Sequence, residues 1–126
     1  MATITLSKDS FKDVVSDKAM VIIDWWAPWC GPCKAFAPIF EESSTKHSDV
    51  IFAKINTDDE PELAGAFSIS SIPTLMIFRE RVLLFSQPGM LPPAALEEVL
   101  GKIKALDMDE IRKEIAAQEA NEPKEP

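Results

Sequence analysis

The spacing of hydrophobic residues changes several times along the chain, and each change predicts a new element of secondary structure. Two segments are almost continuously apolar, MVIIDWW at residues 20–26 and VIFAKIN at residues 50–56. Such segments are typical of strands that are buried on both faces of a sheet. Shorter apolar segments predict three further strands, at residues 4–6, 74–78 and 82–85. The last two are close enough in the chain to form a hairpin.

Between these segments, apolar residues recur at helical spacing, which predicts four helices. The helices begin at Ser7, near Cys30 or Pro32, at Pro61 and near Pro92. The second one is expected to run to about Lys46, with a kink at Pro38, because proline removes a backbone hydrogen bond inside a helix. The alternation of strands and helices predicts an α/β fold whose central sheet is covered on both faces.

The composition changes after residue 106, where the sequence becomes strongly charged. Three apolar residues in this part are spaced to line one side of a helix, namely Met108, Ile111 and Ile115. We therefore predict a folded domain over residues 1–106 and an acidic extension over residues 107–126, helical to about Gln118 and disordered beyond Asn121. The extension is interpreted as a solvating segment, and a helix that binds a partner or packs on its own domain is the alternative.

Length and charge limit the class of protein. A chain of 126 residues is long enough for one domain with a real core. Its net charge of −8 argues against a nucleic acid or an anionic membrane as partner. The first residues lack the features of a secretory signal, and the longest apolar stretch, residues 20–29, is too short to span a bilayer. We expect a cytoplasmic protein, although a transit peptide outside this sequence would be compatible with these observations.

Both cysteines and all three tryptophans lie in one short segment, WWAPWCGPCK at residues 25–34. A disulfide between Cys30 and Cys33 would close a very small loop and stabilise the fold little, so a structural bridge is the weaker interpretation. Structural zinc needs four ligands, and the remaining nitrogen donor, His47, is far along the helix. We expect no metal site, and we expect His47 to be a solvent-exposed surface residue. Redox chemistry is the favoured interpretation of the C-x-x-C spacing.

The predicted position of the cysteines at a helix start explains how they would react. The unpaired N–H groups and partial positive charge of a helix N-terminus favour a thiolate, so Cys30 is the expected nucleophile and Cys33 the resolving thiol. Residues three apart lie on one face of the first turn, near enough for their sulfurs to bond. Pro32 has no N–H to offer the thiolate. The Gly31-Pro32 pair therefore favours a reductant over an oxidant.

Asp24 is unusual because it interrupts an apolar strand, where burial should raise its pKa. Lys54 is similarly isolated in VIFAKIN, and we expect the two side chains to approach each other. If Asp24 lies beneath the turn, it can take the proton from Cys33, directly or through one water. The alternative is a buried acid whose only role is to be neutralised by Lys54.

Ser71-Ile72-Pro73-Thr74 enters the fourth predicted strand, where a proline suits a cis peptide bond. Such a turn could present backbone groups to an extended peptide. Together with DWWAPWCGPCK at residues 24–34, Pro38 and Lys54, this segment resembles the thioredoxin family. The resemblance covers about residues 3–106.

This resemblance implies the thioredoxin fold, a five-stranded mixed sheet flanked by four helices, with Pro73 cis. It also implies a protein disulfide reductase that exchanges its dithiol with disulfides of client proteins and maintains redox homeostasis. The expected partner is a thioredoxin reductase that passes electrons from NADPH, with a ferredoxin-linked reductase left open. The family implies a monomer with no bound cofactor. The docking surface that it implies consists of Trp29, Ile72, Pro73 and Gly89.

The sequence departs from the family pattern at several positions. Trp25 stands where the family usually has Phe. Glu80-Arg81 replaces the common Asn-Gly turn, and because neither residue suits a positive φ we expect a reshaped hairpin. Met90, beside the implied docking groove, is expected to alter substrate preference. Two other functions remain alternatives, an oxidase or isomerase that donates its disulfide and a scaffold subunit of a larger assembly.

Overall fold

The fold places ten elements of secondary structure in the order that the hydrophobic pattern predicts, the last of them being the helix of the extension. The computed structural model describes residues 3–121. The elements are β1 (Thr3–Thr5), α1 (Lys8–Val14), β2 (Met20–Trp26), α2 (Gly31–Lys46), β3 (Ile51–Asn56), α3 (Pro61–Ala66), β4 (Thr74–Arg79), β5 (Val82–Pro88), α4 (Pro93–Lys104) and α5 (Met108–Asn121).

The sheet is mixed and has the strand order β1-β3-β2-β4-β5. β1 and β2 run parallel to β3, whereas β4 runs antiparallel to both β2 and β5. The two near-continuous apolar segments, β2 and β3, are neighbours, as their burial requires. In this register Asp24 pairs with Lys54 of β3 on one side and with Leu75 of β4 on the other. The predicted α/β fold with a five-stranded mixed sheet is confirmed.

Alternating residues of the central strands build two cores, one on each face of the sheet. On one face, Met20 and Ile22 pack with residues of α2 and α4 such as Phe36 and Leu96. The residues of the opposite core come from β2, β3, β4, α3 and flanking segments, and include Leu6, Val21, Ile23, Trp25, Ile55, Leu63, Met76 and Phe78. Trp25 is fully buried there and lies against Phe67 with 5.7 Å between ring centroids, so the larger side chain is accommodated.

Side chains at the helix starts explain where α1 and α2 begin. Ser7 caps α1, because its Oγ accepts a hydrogen bond from the backbone N–H of Ser10. Cys30 occupies the equivalent capping position of α2, which then runs without interruption through Pro38. The kink at Pro38 stays a prediction.

The turn between β4 and β5 corrects one expectation. Glu80 and Arg81 form a tight two-residue turn with φ values of 53° and 68°, so the turn itself is not reshaped. This geometry is unfavourable for residues with a side chain, but ion pairs hold both residues, Glu80 with Arg112 and Arg81 with Asp17 at 3.1 Å. Tertiary partners have therefore overridden the local preference. The irregularity lies inside the hairpin instead, as a register shift between residues 77 and 78 of β4.

The extension contributes a fifth helix, α5, which continues three residues past the predicted end at Gln118. Met108, its first residue, is buried, and Ile111 and Ile115 are half-buried. The helix therefore packs on the domain through the apolar face that its spacing predicts. The disorder predicted beyond Asn121 lies outside the described residues.

A group of three charged residues joins α5 and α4 to the hairpin, and we call it the clasp (Arg79, Glu80 and Arg112). The Nη1 of Arg79 donates to the backbone oxygens of Ile103 at 3.0 Å and Leu106 at 2.9 Å, in the last turn of α4 and just beyond it. Arg112 of α5 pairs with Glu80 in the adjacent turn. The clasp lies at the far end of the sheet from the cysteines, because Arg79 pairs with the first residue of β2.

His47 is half-buried, so the expectation of a solvent-exposed histidine is wrong. Its Nε2 lies 2.7 Å from Oε1 of Glu97, and its Nδ1 lies 2.8 Å from Nζ of Lys104. The ring also stacks on Phe52, with 6.3 Å between the centroids. The cause is the packing of α4 across the end of α2, which a helical pattern in α2 alone does not reveal.

Candidate active site

The two cysteines lie at the start of α2, directly after the central strand. They are joined by a disulfide, and their Cα atoms are 5.2 Å apart. Cys30 is the N-cap of the helix, and its sulfur accepts a hydrogen bond from the backbone N–H of Cys33 at 3.2 Å. The helix terminus thus directs a donor at the Cys30 sulfur, as the sequence predicts.

The cystine is almost closed off from solvent. Cys30 is 4% exposed and Cys33 is 3% exposed. They pack with Ala27, against which Trp26 and Ile72 also lie. Gly31 and Pro32, by contrast, are exposed at the tip of the turn. A reaction partner must therefore approach the sulfurs over this tip and along the surrounding loops.

One loop reaches the Cys30 sulfur, and a second loop is hydrogen-bonded to the first. The carbonyl oxygen of Ile72 lies 3.7 Å from Sγ of Cys30, and the Ile72–Pro73 peptide bond is cis. Gly89, in the loop after β5, donates its backbone N–H to the carbonyl oxygen of Pro73 at 2.7 Å. Its φ of 94° is one that glycine adopts readily and other residues do not. The structure thus links Ile72, Pro73 and Gly89, three of the four residues that the family resemblance assigns to docking.

Trp29 is the most exposed large apolar side chain at the site, at 69% exposure. Its indole Nε1 donates to Oδ2 of Asp58 at 3.1 Å, from the loop between β3 and α3. Sequence reasoning missed Asp58, because the acidic run that contains it also fits the start of α3. Nothing in the local pattern connects that run to a tryptophan 29 residues earlier.

Asp24 lies wholly inside the protein, on β2, the strand that leads into the turn with the cysteines. Within residues 3–121, neither of its carboxylate oxygens has a hydrogen-bond partner. Burial raises the pKa of Asp24 to about 6, and the positive charge of Lys54 opposes that rise. The Lys54 ammonium does not form a direct ion pair with Asp24 in this part of the chain; it lies over the Trp26 ring, 4.9 Å from the centroid.

Neither a metal site nor a membrane span is found in the described part of the chain. No group of three or more His, Cys, Asp or Glu side chains in residues 3–121 could hold a metal ion. Over the same residues, no helix combines the length and apolar character that crossing a bilayer requires.

The comparison with a family model and the comparisons with individual known proteins indicate the same family. The family model described as Thioredoxin matches residues 2–102. A Streptomyces coelicolor protein named "Putative thioredoxin 2" is 53% identical over 119 residues, which is 94% of this chain and 89% of that protein. Thioredoxin 1 of Synechococcus elongatus is 39% identical over 92 residues, covering 72% of this chain and 86% of its own. The first of these alignments is long enough to reach into α5.

Solved structures show the same likeness. The thioredoxin of Malassezia sympodialis superposes with a TM-score of 0.72 and 31% identity, covering 79% of this chain and 89% of its own. The thioredoxin of Plasmodium falciparum gives the same score and identity, covering 79% of this chain and 97% of its own.

Proposed function

The chain belongs to the thioredoxin family of protein disulfide oxidoreductases, which work by dithiol–disulfide exchange, and we propose that within this family it acts as a reductase of protein disulfides. In this proposal Cys30 and Cys33 donate two electrons to disulfides of client proteins and maintain redox homeostasis.

The observation that carries the direction of electron flow is the small number of donors at the Cys30 sulfur. The sulfur accepts one backbone hydrogen bond, from Cys33. Pro32, between the two cysteines, has no N–H to add a second. A thiolate at a helix terminus is stabilised by such donors and by the helix dipole, and strong stabilisation of the thiolate makes a dithiol oxidising. Modest stabilisation leaves Cys30 reactive and the pair reducing.

The proposed reaction has two steps. First, the Cys30 thiolate attacks one sulfur of a client disulfide, which forms a mixed disulfide and releases the other client sulfur as a thiolate. Second, the Cys33 thiol loses its proton and attacks Sγ of Cys30, which forms the Cys30–Cys33 disulfide and releases the second client thiolate. The client gains two electrons, and the protein is left oxidised.

Asp24 is the proposed acceptor of the Cys33 proton. It lies on the strand that leads into the turn, its oxygens have no hydrogen-bond partner in residues 3–121, and burial raises its pKa to about 6, closer to neutrality than an ordinary carboxylate. A base with such a pKa can take up a proton and return it near neutral pH. Lys54 is proposed to tune this group, since its positive charge lowers the pKa of Asp24.

Trp29, Ile72, Pro73 and Gly89 are proposed to form the surface on which clients dock. Trp29 is exposed beside the nucleophile, Ile72 reaches the Cys30 sulfur, and Gly89 is hydrogen-bonded to the neighbouring Pro73. Backbone groups and an apolar ring recognise an extended peptide without strict sequence demands. Such a surface would serve many clients.

The remaining parts of the proposal concern the cellular setting. We propose a cytoplasmic monomer that carries electrons from NADPH through a thioredoxin reductase to its clients. The net charge of −8 is unfavourable for binding nucleic acids or anionic membranes.

The test of this function is the reduction potential of the Cys30–Cys33 pair, measured by equilibration in a series of glutathione or dithiothreitol buffers. We expect a value more negative than about −230 mV, on the reducing side of the glutaredoxin range. A value near −120 mV, typical of a strong oxidant, would contradict the reductase and favour a disulfide donor.

A further inference from the structure

Large apolar side chains are seldom exposed in this protein, and those that are exposed are not evenly distributed. In residues 3–121, four of them are exposed by 40% or more, namely Ile4, Trp29, Leu83 and Met90. Trp29 precedes Cys30, and Met90 follows Gly89, so two of the four belong to the candidate active site. Apolar surface that stays exposed beside a functional site commonly marks contact with a partner.

The backbone on both sides of Met90 is held in place. On one side, Gly89 is hydrogen-bonded to Pro73, whose neighbour Ile72 contacts the Cys30 sulfur. On the other side, Leu91 is buried in the core between the sheet and the α2 and α4 helices. Met90 itself remains 40% exposed. The fold therefore fixes the position of this residue at the rim of the site while it leaves the side chain free.

We propose that Met90 is a specificity-determining residue, which favours client disulfides whose cysteines are flanked by apolar residues; this inference rests on the proposed reductase function. A client bound along the loops of residues 72–73 and 89 passes next to the Met90 side chain. An apolar neighbour of the client cysteine would cover the exposed part of Met90, and a polar neighbour would leave it in water. Methionine suits this role, because its flexible side chain adapts to apolar partners of different shape.

Trp29 and Met90 are expected to differ in how they affect the choice of client disulfides. Trp29 adjoins the nucleophile itself, and Asp58 holds its indole, so every client that reaches Cys30 meets the same surface. Met90 comes from the loop after β5, and its side chain has no hydrogen-bond partner within residues 3–121. It therefore acts on the residues beside the client cysteine rather than on the disulfide, and its effect depends on the client sequence.

The experiment compares two peptides of equal length and charge, each with one internal disulfide. In one peptide leucine flanks both cysteines, and in the other serine does. The protein is reduced in advance and freed of reductant, and the second-order rate constant is taken from the thiols that appear on the peptide. We expect the leucine peptide to react about three to ten times faster, since one apolar contact at a partly open surface discriminates less than a closed pocket. In Met90→Ala this ratio should fall below about two.

Two further variants separate the apolar character of Met90 from other effects. Met90→Leu should keep the ratio, because it retains an apolar side chain of similar size. Leu83→Ala should also keep it, because Leu83 is exposed to a similar extent, 43%, but lies near the opposite end of the sheet.

The outcomes distinguish this inference from the proposed function. Equal rates for the two peptides with the unaltered protein, or a ratio that survives in Met90→Ala, would overturn the role of Met90 and leave the reductase intact. Failure to reduce either peptide would overturn both.

Discussion

The two ends of the central sheet differ in whether their charged groups have hydrogen-bond or ion-pair partners. At the far end from the cysteines, each charge of the clasp has a partner, because Arg79 caps the end of α4 and Glu80 pairs with Arg112. At the candidate active site, the Asp24 carboxylate is wholly buried and has no hydrogen-bond partner in residues 3–121. A buried polar group without a partner costs free energy, whereas a satisfied network does not.

This contrast indicates that the clasp end stabilises the fold and that the end with the cysteines is less stable. The unsatisfied acid destabilises the folded state at the end where its raised pKa is useful for proton transfer. The clasp and the buried Met108 stabilise the other end, where no chemistry is proposed. Proteins commonly tolerate local instability at functional sites in this way.

Cys30→Ser should abolish the reduction of client disulfides, with a loss of at least about a thousandfold in rate, because the nucleophile is lost and Cys33, the other cysteine in the sequence, then has no partner with which to form the final disulfide. Cys33→Ser should instead stop the reaction halfway, as a stable mixed disulfide between Cys30 and the client. Mass spectrometry of the reaction mixture detects that adduct. If Cys33→Ser released free client and Cys30→Ser formed the adduct, the two roles would be reversed.

Asp24→Asn should stabilise the protein at pH 7 and slow disulfide reduction. The folded pKa of about 6 lies above the ordinary value of 3.8, so the stability that this acid contributes is complete below about pH 4 and is lost as the pH rises through 6. Ionised Asp24 therefore costs the folded state roughly 3 kcal/mol at pH 7. Urea unfolding should show about that gain for Asp24→Asn at pH 7 and almost none at pH 4.

The same variant should reduce disulfides about ten to a hundred times more slowly, because the Cys33 proton loses its acceptor. Asp58→Asn is the matched control for charge, since Asp58 is exposed and its removal should not change stability by more than about 0.5 kcal/mol. A stability gain for Asp24→Asn that is equal at pH 4 and pH 7 would show that ionisation of Asp24 is not its cause.

Met108→Ala should lower the free energy of unfolding by about 2 kcal/mol, because it removes a buried side chain that holds α5 on the domain. Disulfide reduction should be unchanged, because the clasp end is remote from the cysteines. Met90→Ala provides the matched control, as the same substitution at an exposed position. Equal effects of the two substitutions on urea unfolding would mean that α5 does not contribute to the stability of the fold.

The ion pair of the clasp should contribute least. A double-mutant cycle with Glu80→Ala and Arg112→Ala should give a coupling energy of about 0.5 kcal/mol, because both side chains remain partly exposed. The more exposed pair of Arg81 and Asp17 is the comparison and should give less. A coupling energy near zero for Glu80 and Arg112 would assign the docking of α5 to its apolar residues alone.

Most of the fold could be predicted from the sequence, because its strongest signals are local. MVIIDWW and VIFAKIN are apolar enough to require burial on both faces, which makes them adjacent inner strands of the sheet. The helix start at Cys30 follows from the C-x-x-C segment, and the burial of Asp24 follows from its place in β2. In each case the residues that carry the signal are neighbours in the chain.

The features that were missed depend on residues distant in sequence. Glu80 and Arg81 adopt a turn that local preferences disfavour, and their partners lie 32 and 64 residues away in the chain. The hydrogen bond from Trp29 to Asp58 and the burial of His47 by α4 have the same origin. Single polar contacts of this kind leave no periodic pattern in the sequence.

The central position of β2 has a consequence for the motion of the backbone. This strand is hydrogen-bonded on both sides, to β3 and to β4, and its side chains line both cores. Amides in such a strand exchange with solvent only when the whole domain opens, whereas those of an edge strand exchange through local fraying. The reactive sulfur of Cys30 is therefore carried by a turn that follows the slowest-exchanging segment of the chain, so repeated oxidation and reduction need not loosen the framework beneath it.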